Sequence, residues 1–172
     1  MATDKPALIV VMGVSGSGKS TLAQALAARC GFLYLEGDDY HSEGARSLMA
    51  RGVALTDELR APWIASICRH LQQFSSTNKN CVLAFSGLKK SYRDALRQTN
   101  FAVTFLFLRG DKAIIQQRME ARTDHFMPPK LLDSQFDTLE IPSHESDVVP
   151  LNTALPLDEI VECALNVIND RN

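Results

Sequence analysis

The sequence predicts an α/β fold in which a parallel sheet is covered by helices on both faces, and three observations carry that expectation. Short apolar runs recur along the 172-residue chain. Between them lie segments with helical spacing or a wealth of helix formers, so strand and helix alternate. The first run, Ala7–Met12 (Ala-Leu-Ile-Val-Val-Met), is apolar throughout, as a strand buried on both faces must be.

The elements follow in order. Residues 21–29 are rich in Ala and Leu and read as a helix stopped by Gly31. Residues 32–35 form a second short strand. Residues 62–74 read as a helix with Pro62 in its first turn, where no N–H is needed. Residues 81–85 make a third strand, 92–97 a short helix and 101–108 a fourth strand. Helices are expected at 111–122 and 130–139. Residues 147–151 are the candidate for a fifth strand. The last helix is marked by Leu157, Ile160, Val161, Ala164, Leu165 and Ile168, which repeat at three and four residues and so share one face. Parallel strands joined by helices imply right-handed crossovers.

Bulk composition narrows the function. The length suits one domain spanning 1–172, and no internal repeat or long linker divides it. Eighteen basic residues against 20 acidic ones give a formal net charge of -2, which argues against a nucleic-acid binder. Cys30, Cys68, Cys81 and Cys163 are widely spaced and read as free thiols in a reducing compartment. His70, His125 and His144 show no metal-ligand spacing. With no signal-like leader and no apolar run long enough to span a bilayer, a cytoplasmic protein is expected.

After the first strand comes Gly13-Val14-Ser15-Gly16-Ser17-Gly18-Lys19-Ser20, which matches G-x-x-x-x-G-K-[ST]. Its glycines let the backbone curl so that N–H groups point at phosphate oxygens, and the next helix presents its positive end. Gly13, Ser15, Gly16, Ser17, Gly18, Lys19, Ser20 and Thr21 are therefore the expected ATP cradle. Lys19 reaches the β- and γ-phosphates, and Ser20 offers its hydroxyl to Mg²⁺. The string Asn78-Lys79-Asn80-Cys81 lacks the Asp of a guanine reader, and the third and fourth strands run into Ser86 and Arg109 instead of an Asp. A GTPase or motor ATPase is thereby disfavoured.

Asp38 stands just beyond the second strand, where ligands of open α/β sheets bind. A carboxylate there can orient an acceptor hydroxyl and take its proton. Phosphoryl transfer also needs cations around the moving group. Arg118 and Arg122 share a helix face, and a polar, Pro-rich break follows them, which suggests a helical lid over about 118–140. Lys89 and Arg93 open a helix at a strand's carboxyl end, against its dipole, so an anionic ligand is expected there. Arg60 and His41 complete the candidate acceptor side.

These strings resemble the small gluconokinases. The matching residues are Gly13 to Ser20, Gly37-Asp38-x-x-His41, Gly52-x-x-Leu55-x-Asp57, Arg60-x-Pro62-Trp63, Ser86-x-Leu88-Lys89-x-x-Tyr92-Arg93-Asp94-x-Leu96-Arg97, His125-Phe126-Met127, and Leu131-Leu132-x-Ser134-Gln135-x-x-x-Leu139-Glu140. They run in order from residue 7 to about residue 142. The resemblance implies a P-loop kinase three-layer sandwich with a five-stranded parallel sheet, dependence on ATP and Mg²⁺, 6-phosphogluconate as product, and a homodimer. It implies Asp38 as base, Arg60, Lys89 and Arg93 at the acceptor, and Arg118 and Arg122 in the lid. The sequence departs from the family at Ser42, Ala45, Leu48, Leu59, Phe85 and Gly87. Two other readings are a kinase for a shikimate-like or related sugar acid, and a nucleotide-binding regulatory module without catalysis.

Overall fold

The computed structural model describes residues 4–121 and 129–171. Its centre is a sheet of β1 (Ala7–Met12), β2 (Leu33–Glu36), β3 (Cys81–Ala84), β4 (Ala102–Arg109) and β5 (Val148–Asn152). The spatial order is β2-β3-β1-β4-β5, and every neighbouring pair is parallel.

The strand period of two explains why β1 is apolar throughout. Leu8, Val10 and Met12 enter one core with Ile67 and Leu71 of α3 (Asp57–Ser76) and Tyr92 and Leu96 of α4 (Lys90–Arg97). Ile9 and Val11 enter the opposite core with Leu22 and Leu26 of α1 (Lys19–Cys30) and Ile160, Ala164 and Ile168 of α7 (Leu157–Arg171). A third, smaller cluster joins Val14 to Ile115 and Met119 of α5 (Lys112–Glu120) and Leu132 of α6 (Pro129–Thr138). It seats those two helices beside the glycine-rich loop.

Three elements differ from the sequence reading. The helix α3 begins at Asp57, five residues before Pro62, because the Thr56 hydroxyl accepts the Leu59 N–H at 3.3 Å and starts the helix there. Pro62 then lies inside the helix. The helix α2 (Glu43–Ala50) was not expected; it starts where the Ser42 hydroxyl accepts the Ala45 N–H at 3.1 Å. Between β2 and α2 the chain makes a 3-10 turn, Gly37–Tyr40. Among the described residues, no helix is long and apolar enough to cross a membrane.

The parallel strands bring their carboxyl ends to one edge. The order reverses at β1, whose neighbours are β3 and β4, so the loops after β1 and β3 part there and leave a crevice. The Gly13 N–H donates to Ser86 O at 3.2 Å and ties the two loops at their base.

Candidate active site

The loop after β1 is built for an anion. Gly18 caps α1 in the left-handed region, with φ 97°, and no acidic residue stands in the helix's first turn. The positive end of the helix is therefore not neutralised by its own chain. Gly16 has φ 79°, and a Cβ there would come within 2.5 Å of Met119 Cγ, so α5 can pack on the loop only across a glycine. Lys19 Nζ donates to Val14 O at 3.0 Å, which folds the side chain back over the loop. From α6, Gln135 Oε1 accepts the Ser15 N–H at 2.7 Å, and its Nε2 donates to the Ser15 hydroxyl at 3.2 Å.

Beside the loop lies a cavity of about 190 Å³, lined by Gly16, Ser17, Gly18 and Thr21 from the loop and α1, with Arg118, Thr153 and Leu157 facing them. The hydroxyls of Ser17 and Thr153 are buried with no hydrogen-bond partner among the described residues. They lie against glycine backbone: a Cβ on Gly13 would come within 2.8 Å of the Ser17 hydroxyl, and one on Gly110 within 2.1 Å of the Thr153 hydroxyl. Arg118 stands on the cavity wall and donates to Thr153 O at 2.7 Å. Arg122 lies outside the described residues.

Two acids stand where β2 ends: Glu36 closes the strand and Asp38 lies in the turn after it. The Glu36 carboxylate accepts the Ser20 hydroxyl at 2.5 Å and also the Tyr34 hydroxyl. Its other oxygen accepts the Asp38 N–H at 3.4 Å. Glu36 thus links the last residue of the glycine-rich loop to the turn that bears Asp38. That turn is held from behind as well. The Trp63 indole donates to Gly37 O at 2.7 Å, and a Cβ on Gly37 would sit 2.5 Å from Ala84 O. Asp38 itself is exposed, and no hydrogen bond or ion pair to its carboxylate occurs among the described residues. His41 stacks on Trp63 at 4.3 Å between ring centroids, nearly parallel, with a buried Nδ1 that has no partner among the described residues. Burial holds its imidazole below the ordinary histidine value, against the upward pull of Asp38.

On the far wall, Lys89 Nζ donates to both oxygens of Asp57, at 2.9 and 2.8 Å. The Tyr92 hydroxyl donates to the same carboxylate, and Arg60 donates to the Tyr92 hydroxyl at 3.2 Å. Lys89 and Tyr92 hold Asp57 below its ordinary carboxylate value, and Asp57 raises Lys89 in return. The cations that open α4 against its dipole are thus balanced by the protein's own acids, because the Lys90 N–H also donates to the Glu140 carboxylate at 3.0 Å.

Arg93 is the departure from the sequence reading. It is 1% exposed and pairs through Nε and Nη2 with both oxygens of Glu145, at 2.9 and 2.7 Å. Its remaining bonds go to Gly87 O at 2.6 Å and Glu140 O at 3.2 Å. With its donors committed inside the core, it shapes the loop after β3 instead of facing the crevice. A one-residue difference in helical phase separates it from Tyr92, and spacing alone could not assign the faces.

Sequence reasoning did not join Glu36 or Gln135 to the glycine-rich loop, nor pair Asp57 with Lys89. Glu36 is an acid closing a strand, but the strand is β2, whereas a classical metal-side acid closes a later strand. Asp57 and Gln135 stood in the strings that carry the family resemblance, but spacing could not give their contacts, since the partners lie 32 and 120 residues away.

A parallel sheet and an anion loop at its switch point, with an exposed carboxylate in the turn after β2, define a P-loop kinase of small molecules. A family model described as an AAA domain matches residues 8–142. The thermoresistant gluconokinase of Escherichia coli (strain K12) is 38% identical over 162 residues, covering 94% of this chain and 93% of that protein. The gluconokinase of Gluconobacter oxydans (strain 621H) is 38% identical over 158 residues, covering 92% and 89%. Among solved structures, a gluconokinase from Sinorhizobium meliloti 1021 superposes with a TM-score of 0.84 at 43% identity, covering 94% of this chain and 90% of that one. A sugar kinase from Janibacter sp. HTCC2649 gives 0.91 at 38% identity over 95% of both chains. Shikimate kinase from Aquifex aeolicus, at 15% identity and a TM-score of 0.61, shares the fold. The chain belongs to the gluconokinase family.

Proposed function

We propose that the protein transfers the γ-phosphoryl group of ATP to the 6-hydroxyl of gluconate, giving 6-phosphogluconate and ADP. The observation that carries this reading is Asp38 in the turn after β2, its carboxylate exposed and its backbone N–H tied through Glu36 to Ser20 of the glycine-rich loop. The acceptor hydroxyl gives its proton to Asp38 as its oxygen bonds to the γ-phosphorus. The bond from that phosphorus to the β–γ bridging oxygen breaks, and ADP departs. Lys19 and the N–H groups of residues 16–20 hold the phosphates, and Arg118 closes the cavity beside them. Arg122 is proposed as a second lid cation on the sequence argument alone.

Ser20 and Glu36 would hold the Mg²⁺ of a bound nucleotide. The Ser20 hydroxyl and Glu36 carboxylate are hard oxygen donors of the kind it takes, and few protein ligands are needed where phosphates and water supply the rest. Its chemistry is to neutralise charge on the phosphate oxygens. At the acceptor end, Lys89 and Arg60 supply the positive charge that a sugar-acid carboxylate needs, and His41 borders Asp38 as a neutral imidazole. Arg93 supports the loop beneath them. A homodimer remains a proposal drawn from the family resemblance.

A coupled ADP assay over a panel of sugar acids and shikimate tests the reading. Gluconate is expected to raise ADP release at least tenfold over the acceptor-free rate. A larger response to another acid would transfer the assignment to that acid. No response to any acceptor would favour a nucleotide-binding module.

A further inference from the structure

On the acceptor wall, one carboxylate already sits where the proposed substrate's carboxylate is expected. Both oxygens of Asp57 rest on Lys89 Nζ, one also takes the Tyr92 hydroxyl, and Arg60 stands behind Tyr92 with its guanidinium 5.8 Å from the ring centroid. An ammonium and a phenol hydrogen-bonded to one carboxylate, with a guanidinium behind the phenol, form a carboxylate cradle. The occupant is not needed to complete α3. Thr56 caps that helix, and Glu58 supplies a second acid in its first turn. Nor is it locked in place. The side chain of Asp57 is 58% exposed and that of Lys89 32%, so solvent screens the pair and a competing anion can displace it at little cost.

We propose that Asp57 is an internal competitor for the acceptor's carboxylate and that this competition sets the affinity for anionic acceptors. The proposal rests on the acceptor reading given above. Binding of a sugar acid transfers the Lys89 ammonium from Asp57 to the substrate, and Asp57 turns out into solvent. No bond to the reacting atoms is involved, so the effect falls on ground-state binding and leaves the chemical step alone.

Steady-state kinetics with gluconate and with the neutral polyol sorbitol tests this in wild type, Asp57→Asn and Asp57→Ser. The serine variant keeps a small polar residue in the first turn of α3. In both variants the KM for gluconate is expected to fall about three- to fivefold, the range that an exposed ion pair can contribute. The kcat is expected to stay within about twofold, and the response to sorbitol to stay unchanged. In a Lys89→Met background, Asp57→Asn should no longer alter the gluconate KM, since the contested cation is gone. A gluconate KM that rises or stays the same in the Asp57 variants overturns the proposal. So does an equal shift for sorbitol, or an effect that persists without Lys89. A wild-type protein that turns over no sugar acid overturns the functional reading itself and this inference with it. A wild type active on gluconate, with Asp57 variants unchanged, overturns this inference alone.

Discussion

Replacing the Asp38 carboxylate by an amide removes a proton acceptor while keeping the size of the side chain. The 3-10 turn is held through backbone atoms, by Trp63 on Gly37 O and Glu36 on the Asp38 N–H, so it should survive the change. Asp38→Asn is therefore expected to lower kcat by about a hundredfold or more, the usual contribution of a general base, with ATP affinity within about threefold. Stopped assays for turnover and nucleotide titration check the two halves. A kcat near the wild-type value would remove Asp38 from the role. Gly37 offers a complementary change. A methyl group at 37 would press on Ala84 O, a backbone atom that cannot yield cheaply. Gly37→Ala should displace the turn and lower kcat while the thermal midpoint moves by only a few degrees.

At the scale of elements, the buried ion pairs around α4 bind the segment after α6 to the sheet's carboxyl edge. Arg93 holds Glu145, and Arg97 bonds to both Glu145 and Asp147, at 2.6 and 2.8 Å. Removing one partner leaves a poorly solvated charge behind. Arg93→Met is expected to cost ~3–5 kcal/mol of unfolding free energy, measured by urea titration. A loss below ~1 kcal/mol would show that the network relaxes into water. The same region shows what a sequence can and cannot reveal. The order of strands and helices was legible because burial on both faces forces continuous apolar runs in β1 and β3, and the loop at 13–20 has a spacing fixed by phosphate geometry. The helix α2 was hidden because its start depends on a single serine cap. The inward turn of Arg93 was hidden because its partner Glu145 lies 52 residues away in a stretch without periodicity. The position of Asp38 just beyond β2 was legible, whereas the tie between Glu36, two residues earlier, and Ser20 needed the contact itself to be seen.

For the whole molecule, two buried or paired groups set opposite ends of the pH range. Burial in the central sheet pushes the Cys81 thiol up from 9.0 to about 11. Its contribution to stability is complete below the ordinary thiol value and is lost as pH rises from 9 to about 11, because the unfolded chain ionises first. Arg93 and Arg97 hold Glu145 below the ordinary glutamate value, so its contribution is complete above that value and is lost as pH falls through the depressed one. Denaturant midpoints should therefore decline on both sides of neutrality, and Cys81→Ala should flatten the alkaline limb while leaving the acid limb alone. An alkaline limb of equal slope in that variant would assign the decline to another group. The proposed catalysis asks more of the molecule than stability does, since a loop after β1, a turn after β2 and a wall after β3 would have to meet around one phosphoryl group. The direct measurement is phosphorus and carbon NMR of ATP incubated with gluconate and catalytic amounts of the protein. One 6-phosphogluconate is expected for each ADP formed, and neither is expected with Asp38→Asn over the same time. ADP accumulating at the same rate without gluconate, or gluconate recovered unmodified, would contradict the account.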